Sequence, residues 1–496
     1  MNLDELDGIV ESAQEKPLSA AEAKKLKTAL HTMAELLSPE RTNEKTRKVL
    51  GREPAPKAPK EKAPGHGRNG ADAYKTAEVV EVPLETIKPG DPCPECPKGK
   101  VYDYKPRTLV RIIGQAPVQA KVYKLQRRRC NLCGAVFAAN LPEGVGADKY
   151  DESVASTVAI FKYGNGMPMN RLESLEKMFG VPFPASTQWD LLEEMAVILQ
   201  PVFDRMKLEA AQCEVLHNDD TGAKVLQLTR PAGDKRTGTF TTGIVADHRH
   251  HKIAIFVTGR RHAGENLKDL LVQRSQDLDP PIQMADAASR NTPKLSEEAQ
   301  TVLANCLAHG RRHVIDHIDN FPEQCQHILD LLAVPFKNDA EARRLGLDPK
   351  ERLKFHKEHS APSMTKLHKW LLVPFKEHGV EPNSGLGQAM KYLLTHWRKL
   401  TLFLSVAGVP IDNNICERAI KKAVLMRKNS YFYRTEQGAD VGDLFMSLIH
   451  TCELNKVNAF NYLTELQKNL LAALTKPEEW MPWNFEEQLR PLAAAI

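Results

Sequence analysis

The 496-residue chain lacks a long apolar run, a secretory leader pattern and an even number of cysteines. No stretch approaches the roughly 18 consecutive apolar residues of a membrane span, so we expect no membrane partner. The first residues are acidic and lack the basic and apolar regions of a secretory signal, which predicts a cytoplasmic protein. Nine cysteines in such a chain favour a reducing compartment and metal binding over disulfides.

Acidic residues are missing from two stretches of an otherwise ordinary composition. Apolar residues make up 42% of the chain and charged residues 26%, which predicts a soluble protein of about three domains. Residues 105–129 carry eight basic side chains and no acid, and residues 418–435 carry six and no acid. These stretches predict a polyanionic partner, most simply nucleic acid, with a solubilising basic surface as the alternative.

Four cysteines form two Cys-x-x-Cys pairs, which predict a structural zinc ribbon in a domain spanning residues 76–145. Each pair can occupy two corners of a tetrahedron, and strands are predicted between the pairs at 109–113 and 118–125. A domain of this size would not fold without its single Zn²⁺. The alternative is redox-active or free thiols. The predicted ligands are Cys93, Cys96, Cys130 and Cys133.

Helical segments flank this domain. Residues 1–50 predict helices, in a hairpin or an oligomer contact, and residues 51–75 form a linker rich in Pro, Lys and Gly. Residues 146–208 predict three helices, at 151–162, 170–178 and 186–206. These helices could form a DNA-reading helix-turn-helix or a plain connector.

From residue 209 to 435 the pattern predicts an α/β core, so the fold class is multidomain α+β. Strands are predicted at 215–219, 223–228, 239–246, 252–258, 282–285 and 302–307, with a helix at 266–273. Apolar stripes predict a large helical insertion at about 316–409. Residues 436–496 predict a C-terminal helical segment that is loosely packed beyond residue 476.

A single acid, Glu417, heads a basic helix that follows this insertion. Asn413 or Asn414 can cap the helix, and Glu417 lies beside its apolar stripe. A divalent metal with a phosphate beyond it would satisfy the lone acid and the basic residues together. The alternative is an ordinary capping box formed by Asn414 and Glu417.

Two further carboxylates suit a metal site for phosphoryl transfer. Such chemistry uses two Mg²⁺ ions held by a few acids. Asp219 lies on the first strand of the core, and Asp286 lies at the end of a later one. The alternatives are an ordinary turn at Asp219 and a helix cap at Asp286.

Cys306 and His309 have the spacing of half a metal site. The alternative is a buried thiol beside a hydrogen-bonded histidine. Arg311 and Arg312 follow directly and are candidate phosphate clamps, or else surface cations of a helix.

Three segments of the chain match one known family most specifically. They are Leu216-His217-Asn218-Asp219-Asp220-Thr221, Cys306-Leu307-Ala308-His309-Gly310-Arg311-Arg312 and Ile411-Asp412-Asn413-Asn414-Ile415-Cys416-Glu417-Arg418-Ala419. On these segments the chain resembles transposases of the insertion sequence sixty-six (IS66) family, and the match runs almost from end to end. The resemblance implies a ribonuclease-H-like core whose acid triad, holding two Mg²⁺, is Asp219, Asp286 and Glu417. The family usually has Asp-Gly-Tyr where this chain has Asp286-Ala287-Ala288, with Asp279 a poorer substitute for the second acid.

The resemblance therefore implies a bacterial, DNA-associated enzyme that cuts at the ends of an insertion sequence and joins them to target DNA. Its partners would be double-stranded DNA, as terminal inverted repeats and target, further copies of the chain and accessory proteins of the element. The alternative is a non-catalytic zinc-ribbon regulator from an inactivated element. The candidate DNA-binding residues are Arg127, Arg128, Arg129, Arg311, Arg312, Lys421, Lys422, Arg427 and Lys428.

Overall fold

A computed structural model describes most of the chain from residue 86 onward. The described residues are 86, 88–94, 98–103, 116–129, 131, 136–229, 233, 236–248, 251–295, 300–373 and 375–493. They belong to two compact units, which we treat separately. One contains the described residues of 55–158 together with 168–192, and the other contains 159–167 and the chain from 193 onward. The predicted N-terminal helices at 1–50 and linker at 51–75 lie outside the described residues.

The smaller unit combines a two-stranded ribbon with helices. The strands pair antiparallel, and residues 118–125, predicted as a strand, form none because pairing begins only at Arg127. Helices near 151–162, 170–178 and 186–206 are confirmed, and the third continues into the larger unit. The elements are β1 (Arg127–Arg129), β2 (Val136–Ala138), α1 (Glu152–Ala159), α2 (Met169–Met178) and the first residues of α3 (Ala185–Ala211). The π-helical turn after α1 (Ile160–Gly164) and the rest of α3 belong to the larger unit.

The larger unit contains a sheet in the segment where the sequence predicted an α/β core. The elements are β3 (Val215–Gly222), β4 (Val225–Gln227), β5 (Phe240–Asp247), β6 (Lys252–Gly259), α4 (Ala263–Leu271), β7 (Ile282–Ala285) and β8 (Val302–Asn305). The sheet is mixed and has five strands in the order β6-β5-β3-β7-β8, in which the first three strands are antiparallel neighbours and the last two run parallel to β3.

A block of helices follows β8, where the apolar stripes predicted it. Its fully buried side chains, such as Ile328, Leu332 and Leu393, form one core with Met284 and Ala304 of the two parallel strands. This core fixes the end of the sheet at which β7 and β8 stop. The helices are α5 (Leu307–Ile315), α6 (Pro322–Arg344), α7 (Pro349–His359), α8 (Ala361–Leu372), α9 (Gly385–Thr395) and α10 (Trp397–Leu400).

The C-terminal part returns to the sheet and is better packed than the sequence predicted. Trp480, Met481 and Phe485 are at most 3% exposed, and the Tyr462 hydroxyl donates to the Trp480 carbonyl, so the prediction of a loose end is wrong. β4 pairs with β9 in parallel. The elements are α11 (Asn414–Ser430), β9 (Tyr433–Thr435), α12 (Glu436–Leu454), α13 (Ala459–Lys468), α14 (Leu470–Thr475) and α15 (Phe485–Ala493).

Helix α12 satisfies the outer edge of the sheet with side chains instead of another strand. Residues four apart on α12 bond to backbone N–H groups two apart on β6, since both spacings are about 6 Å. Exposed edges invite pairing with other chains, so this contact protects the sheet. The acceptors are Asp443 for Thr258, Ser447 for Phe256 and Thr451 for Ala254, and Asn455 just beyond the helix accepts from Lys252.

None of the helices in the described part of the chain has the length and apolarity that a membrane span requires.

Candidate functional site

Two consecutive aspartates close to the end of β3 have different surroundings. Successive side chains of a strand point to opposite faces. The side chain of Asp220 is 2% exposed, and its Oδ2 lies 2.8 Å from His262 Nδ1 at the start of α4, with Arg290 as a second ionic partner. Asp220 therefore supports the fold, and Asp219 is the carboxylate of the pair that can serve a site on the other face.

Asp286 lies beside Asp219 at the same edge of the sheet. β7 runs parallel to β3 with Met284 opposite His217, and each aspartate lies two residues further along its chain. Nδ2 of Asn291 donates to both carboxylates, at 3.3 Å from Asp219 Oδ1 and 2.6 Å from Asp286 Oδ1. The structure thus brings two of the three predicted acids to one amide group.

Asn291 is held in place by other buried amides. Its backbone carbonyl accepts hydrogen bonds of 2.8 Å from Nδ2 of Asn218 and from Nε2 of Gln283, and Gln283 also donates to Asn218 Oδ1. The two strands that carry the aspartates therefore also fix the amide that bridges them. No sequence pattern singled out Asn291, which ends the short 3₁₀ turn after Asp286, Ser289–Asn291.

The environment of the second acid separates Asp286 from Asp279. Asp286 Oδ1 also accepts the backbone N–H of Ala288 at 3.0 Å and so closes a local turn, but it does not cap a helix, because the N-cap residue of the following 3₁₀ turn is Ala288. Asp279 is exposed and precedes β7, whose four residues span about 13 Å. Asp279 is therefore at the opposite end of the strand.

Helix α11 is anchored to β3 by the residue just before it. Nδ2 of the buried Asn413 donates to the Asn218 carbonyl at 3.1 Å, and its Oδ1 lies 3.0 Å from His217 Nδ1. Burial lowers the pKa of His217 to about 4, so the neutral ring donates to Asn413 through Nδ1–H. Asn413 is the N-cap residue of α11, as predicted, but its side chain accepts no backbone N–H of the helix, and Asp412 accepts the Asn414 N–H.

Glu417 lies in the first turn of α11, one turn beyond this anchor. The neighbouring Cys416 donates through Sγ to the Gly243 carbonyl at 3.2 Å, and Gly243 lies opposite Asp219 in the β3–β5 register. The first turn of α11 therefore packs onto the part of the sheet that carries Asp219. The Glu417 carboxylate faces Arg312 Nη2 at 3.5 Å and His309 Nδ1 at 3.6 Å.

The half site predicted at Cys306 and His309 gains a third member through the fold. Ligand atoms of Cys306, His309 and Glu417 all lie within 4.8 Å of one another. No local pattern joins a third ligand to Cys306 and His309, because Glu417 lies more than a hundred positions away in the chain. Glu417 therefore lies beside the Cys306–His309 pair, on a helix whose first turn also packs against β5 opposite Asp219.

The carboxyl group of Asp219 has a raised pKa. Burial raises its pKa to about 6 from 3.8, and the negative charges of Asp286 and Asp220 add to this increase, while hydrogen bonds from the Asp220 N–H and Asn291 oppose it. Two close carboxylates in a partly desolvated site repel each other, and a bound cation would relieve that repulsion.

In buffer without Mg²⁺, the Asp219→Asn variant is expected to be more stable than the wild type. The folded-state pKa of Asp219 lies above the unfolded value, so ionisation costs stability as the pH rises from about 4 through 6. At pH 8, Asp219→Asn should raise the free energy of unfolding by about 1–3 kcal/mol. Below pH 4 the variant and the wild type should unfold alike.

Urea denaturation at both pH values measures this difference. Asp279→Asn, which removes an exposed aspartate, is the matched control and should leave stability within about 0.5 kcal/mol at either pH. A wild type as stable as Asp219→Asn at pH 8 would contradict a strained carboxylate at Asp219.

Comparison with known proteins identifies the family of this chain. The model of the family described as "Transposase IS66 family" matches residues 149–441, which is more than half of the chain. The chain belongs to the IS66 transposase family. Three proteins of Sinorhizobium fredii are similar to it. Uncharacterized protein y4hP is 25% identical over 82% of this chain and 76% of its own length. Uncharacterized protein y4qI is 26% identical over 68% of this chain and 62% of its own length. Uncharacterized protein y4jD is 32% identical over 37% of this chain and 36% of its own length.

In this IS66 family member the predicted phosphate-binding cations differ in their surroundings. Arg311 and Arg312 are half-buried on α5, and Arg312 faces Glu417. Lys421 and Lys428 are exposed on α11. Their proximity in sequence to Glu417 keeps them candidates for contact with a phosphate.

Two other predicted cations of α11 already have protein partners. Lys422 Nζ lies 2.7 Å from Glu453 Oε1, and Arg427 donates to the Gly222 carbonyl at the end of β3. These contacts fasten α11 to α12 and to β3. Lys422 and Arg427 are therefore weaker candidates for DNA contact than the two exposed lysines.

The predicted zinc ribbon of this family member is described only in part. Arg127 and Arg128 are exposed on β1, and nothing is described of the Arg129 side chain. Cys93 is half-buried in a loop closed by a bridge between Pro92 and Lys100. The zinc site stays a prediction, since the other three ligands lie outside the described residues: Cys96, Cys130 and Cys133.

Proposed function

We propose that the protein is an acid-triad transposase that cleaves DNA at the ends of an insertion sequence and transfers the freed strand into target DNA. The carrying observation is the contact of Asn291 with Asp219 and Asp286 together. Glu417 would complete the triad, since its helix is anchored to the residue that precedes Asp219.

The strand arrangement supports a ribonuclease-H-like core. In such a core three antiparallel strands are followed by two strands parallel to the first, and the order β6-β5-β3-β7-β8 has this arrangement. Parallel strands bring their carboxyl ends to one edge, where ligand sites of α/β sheets form. Asp219 and Asp286 lie at that edge.

The donor set at this edge fits Mg²⁺. Magnesium prefers oxygen ligands, and burial together with mutual repulsion makes the Asp219 carboxylate costly to ionise without a cation. Asp219, Asp286 and Glu417 would hold the metal. The chemistry that two Mg²⁺ ions supply at such a site is activation of the attacking oxygen and neutralisation of charge on the phosphate.

The protein's own residues would position these groups and the DNA. Asn291 holds two carboxylates in a fixed arrangement, so little reorganisation is needed when the metal binds. Arg312 beside Glu417 and the exposed Lys421 and Lys428 would contact phosphates without reading sequence. In cleavage a water oxygen bonds to phosphorus and the bond to the 3′ oxygen breaks, which leaves a 5′ phosphate and a 3′ hydroxyl. In strand transfer this 3′ oxygen bonds to a phosphorus of target DNA, the bond to the target's own 3′ oxygen breaks, and that oxygen leaves as a hydroxyl with the proton.

Recognition of the element's ends would belong to the ribbon domain. Arg127, Arg128 and Arg129 lie next to a predicted Zn²⁺ ligand and would face the terminal repeats. Joining two ends requires two active sites, so the protein would act as an oligomer on DNA.

Nicking of end-containing DNA tests the proposal. The full-length protein is incubated with Mg²⁺ and a supercoiled plasmid carrying the DNA that flanks its gene on both sides. We expect nicks that leave 3′ hydroxyls at the element's ends, and none in a plasmid without those flanks. Specific binding of the ends without nicking would overturn the enzymatic proposal in favour of a non-catalytic regulator.

Replacing Cys130 with serine should remove one equivalent of zinc and abolish selective binding to end DNA. One thiolate fewer leaves the predicted tetrahedral site incomplete, and a small ribbon depends on its metal for folding. Zinc content and band shifts against random DNA of equal length measure both. Cys325→Ala, at a buried cysteine of α6, is the control, and a Cys130→Ser protein that keeps zinc and end binding would refute the four-thiolate site.

A further inference from the structure

Three side chains with different donor atoms converge beside the proposed triad. Cys306 follows β8 directly and is the N-cap residue of α5, His309 lies in the first turn of α5, and Glu417 lies in the first turn of α11. Their sulfur, nitrogen and oxygen ligand atoms lie within 4.8 Å of one another. The long helical block between α5 and α11 is what separates these elements in sequence.

Two atoms of this cluster are enclosed and lack hydrogen-bond partners among the described residues. They are Nδ1 of His309 and Oε1 of Glu417, which lie 3.6 Å apart. That separation is too long for a good hydrogen bond. It is close to the roughly 3.4 Å between two ligand atoms of a tetrahedral zinc ion with bonds of about 2.1 Å.

The sulfur of Cys306 is surrounded by donors rather than by apolar groups alone. The backbone N–H of Asn413 donates to Sγ at 3.2 Å, and the backbone N–H of His309 donates to it as well. Such N–H groups stabilise a thiolate bound to a metal.

We propose that Cys306, His309 and Glu417 bind one thiophilic divalent cation such as Zn²⁺. Sulfur and imidazole ligands select zinc-like ions over Mg²⁺, so this site would be chemically distinct from the oxygen ligands of Asp219 and Asp286. Because Glu417 belongs to both sets, occupation of this site withdraws it from the magnesium triad. This second part rests on the proposed function and makes the cation an inhibitor of cleavage.

Cobalt binding tests the site without any use of activity. The full-length protein is titrated with Co²⁺, whose absorption reports thiolate ligation, and bound equivalents are counted. The wild type should bind one equivalent more than Cys306→Ala and one more than the milder His309→Gln. Cys325→Ala, another buried cysteine change, should match the wild type. Because all four proteins contain the predicted ribbon, its own metal cancels in the comparison.

Equal cobalt equivalents in the folded wild type and His309→Gln would overturn the site and leave a buried thiol beside a polar pair. Thermal unfolding of each variant shows that it is folded when titrated. In a second arm, Zn²⁺ is added to the nicking assay at fixed Mg²⁺, and cleavage by the wild type should fall in proportion to occupancy of the site. Full activity at saturating Zn²⁺ would overturn the inhibitory role. If the wild type does not nick DNA with Mg²⁺ and no added Zn²⁺, the proposed function is refuted. The cobalt comparison still decides whether Cys306, His309 and Glu417 bind a metal.

Discussion

Replacing Glu417 with glutamine should slow Mg²⁺-dependent nicking on the order of a thousandfold. The substitution keeps the size and hydrogen-bonding capacity of the side chain and removes the negative charge that a hard cation requires. Loss of one triad carboxylate costs several kcal/mol of transition-state stabilisation, and each 1.4 kcal/mol is about a tenfold change in rate. Initial rates of nick formation on end-containing plasmid measure the effect.

The same variant should fold and bind end DNA as the wild type does, because Glu417 makes no helix-capping contact and faces Arg312 and His309 across distances of at least 3.5 Å. Band shifts with end DNA and circular dichroism provide these controls. Wild-type nicking by Glu417→Gln would remove Glu417 from the mechanism and return it to an ordinary position of a basic helix.

Replacing Asp286 with asparagine should reduce nicking by a similar factor, on the order of a thousandfold. The substitution leaves an oxygen that can accept the Ala288 N–H, so the local turn can persist. What it removes is the second negative charge beside Asp219. The variant should also need more Mg²⁺ for half-maximal activity, which a titration of the residual rate measures.

Asp279→Asn is the matched control for this experiment. It removes the same charge from the same stretch of chain but at the opposite end of β7, on an exposed residue. We expect it to nick at the wild-type rate. Loss of activity in Asp279→Asn together with wild-type activity in Asp286→Asn would move the second acid to Asp279 and contradict the arrangement around Asn291.

Secondary structure in the sheet and helices followed from local patterns. The strands that carry Asp219 and Asp286 alternate or end at polar residues, and the apolar stripes after β8 have helical spacing. The pattern failed where pairing partners decide, as at 118–125, and where burial decides, as at Trp480. Whether a segment forms a strand depends on a pairing strand, and whether the chain end is packed depends on the residues that surround it. Both depend on parts of the chain that are remote in sequence.

The sequence singled out the three candidate acids but not the asparagines that contact them or anchor their elements. Asp219, Asp286 and Glu417 are acids in contexts that suit metal binding, and family resemblance joined them. Asn291 carries no such signal, because an asparagine in a short turn is ordinary. The sequence predicted Asn413 as a helix cap, whereas its side chain forms hydrogen bonds with His217 and Asn218 of β3, nearly two hundred positions away.

The sequence by itself determined the family, the order of the elements and the separate acids, because these depend on residue types and on spacing within a few turns of chain. Only the tertiary structure decided that the side chain of Asn291 contacts two aspartates and that Glu417 lies close to Cys306 and His309. Those relations arise from the parallel register of β3 with β7 and from the anchoring of α11, which act between segments that no local pattern connects.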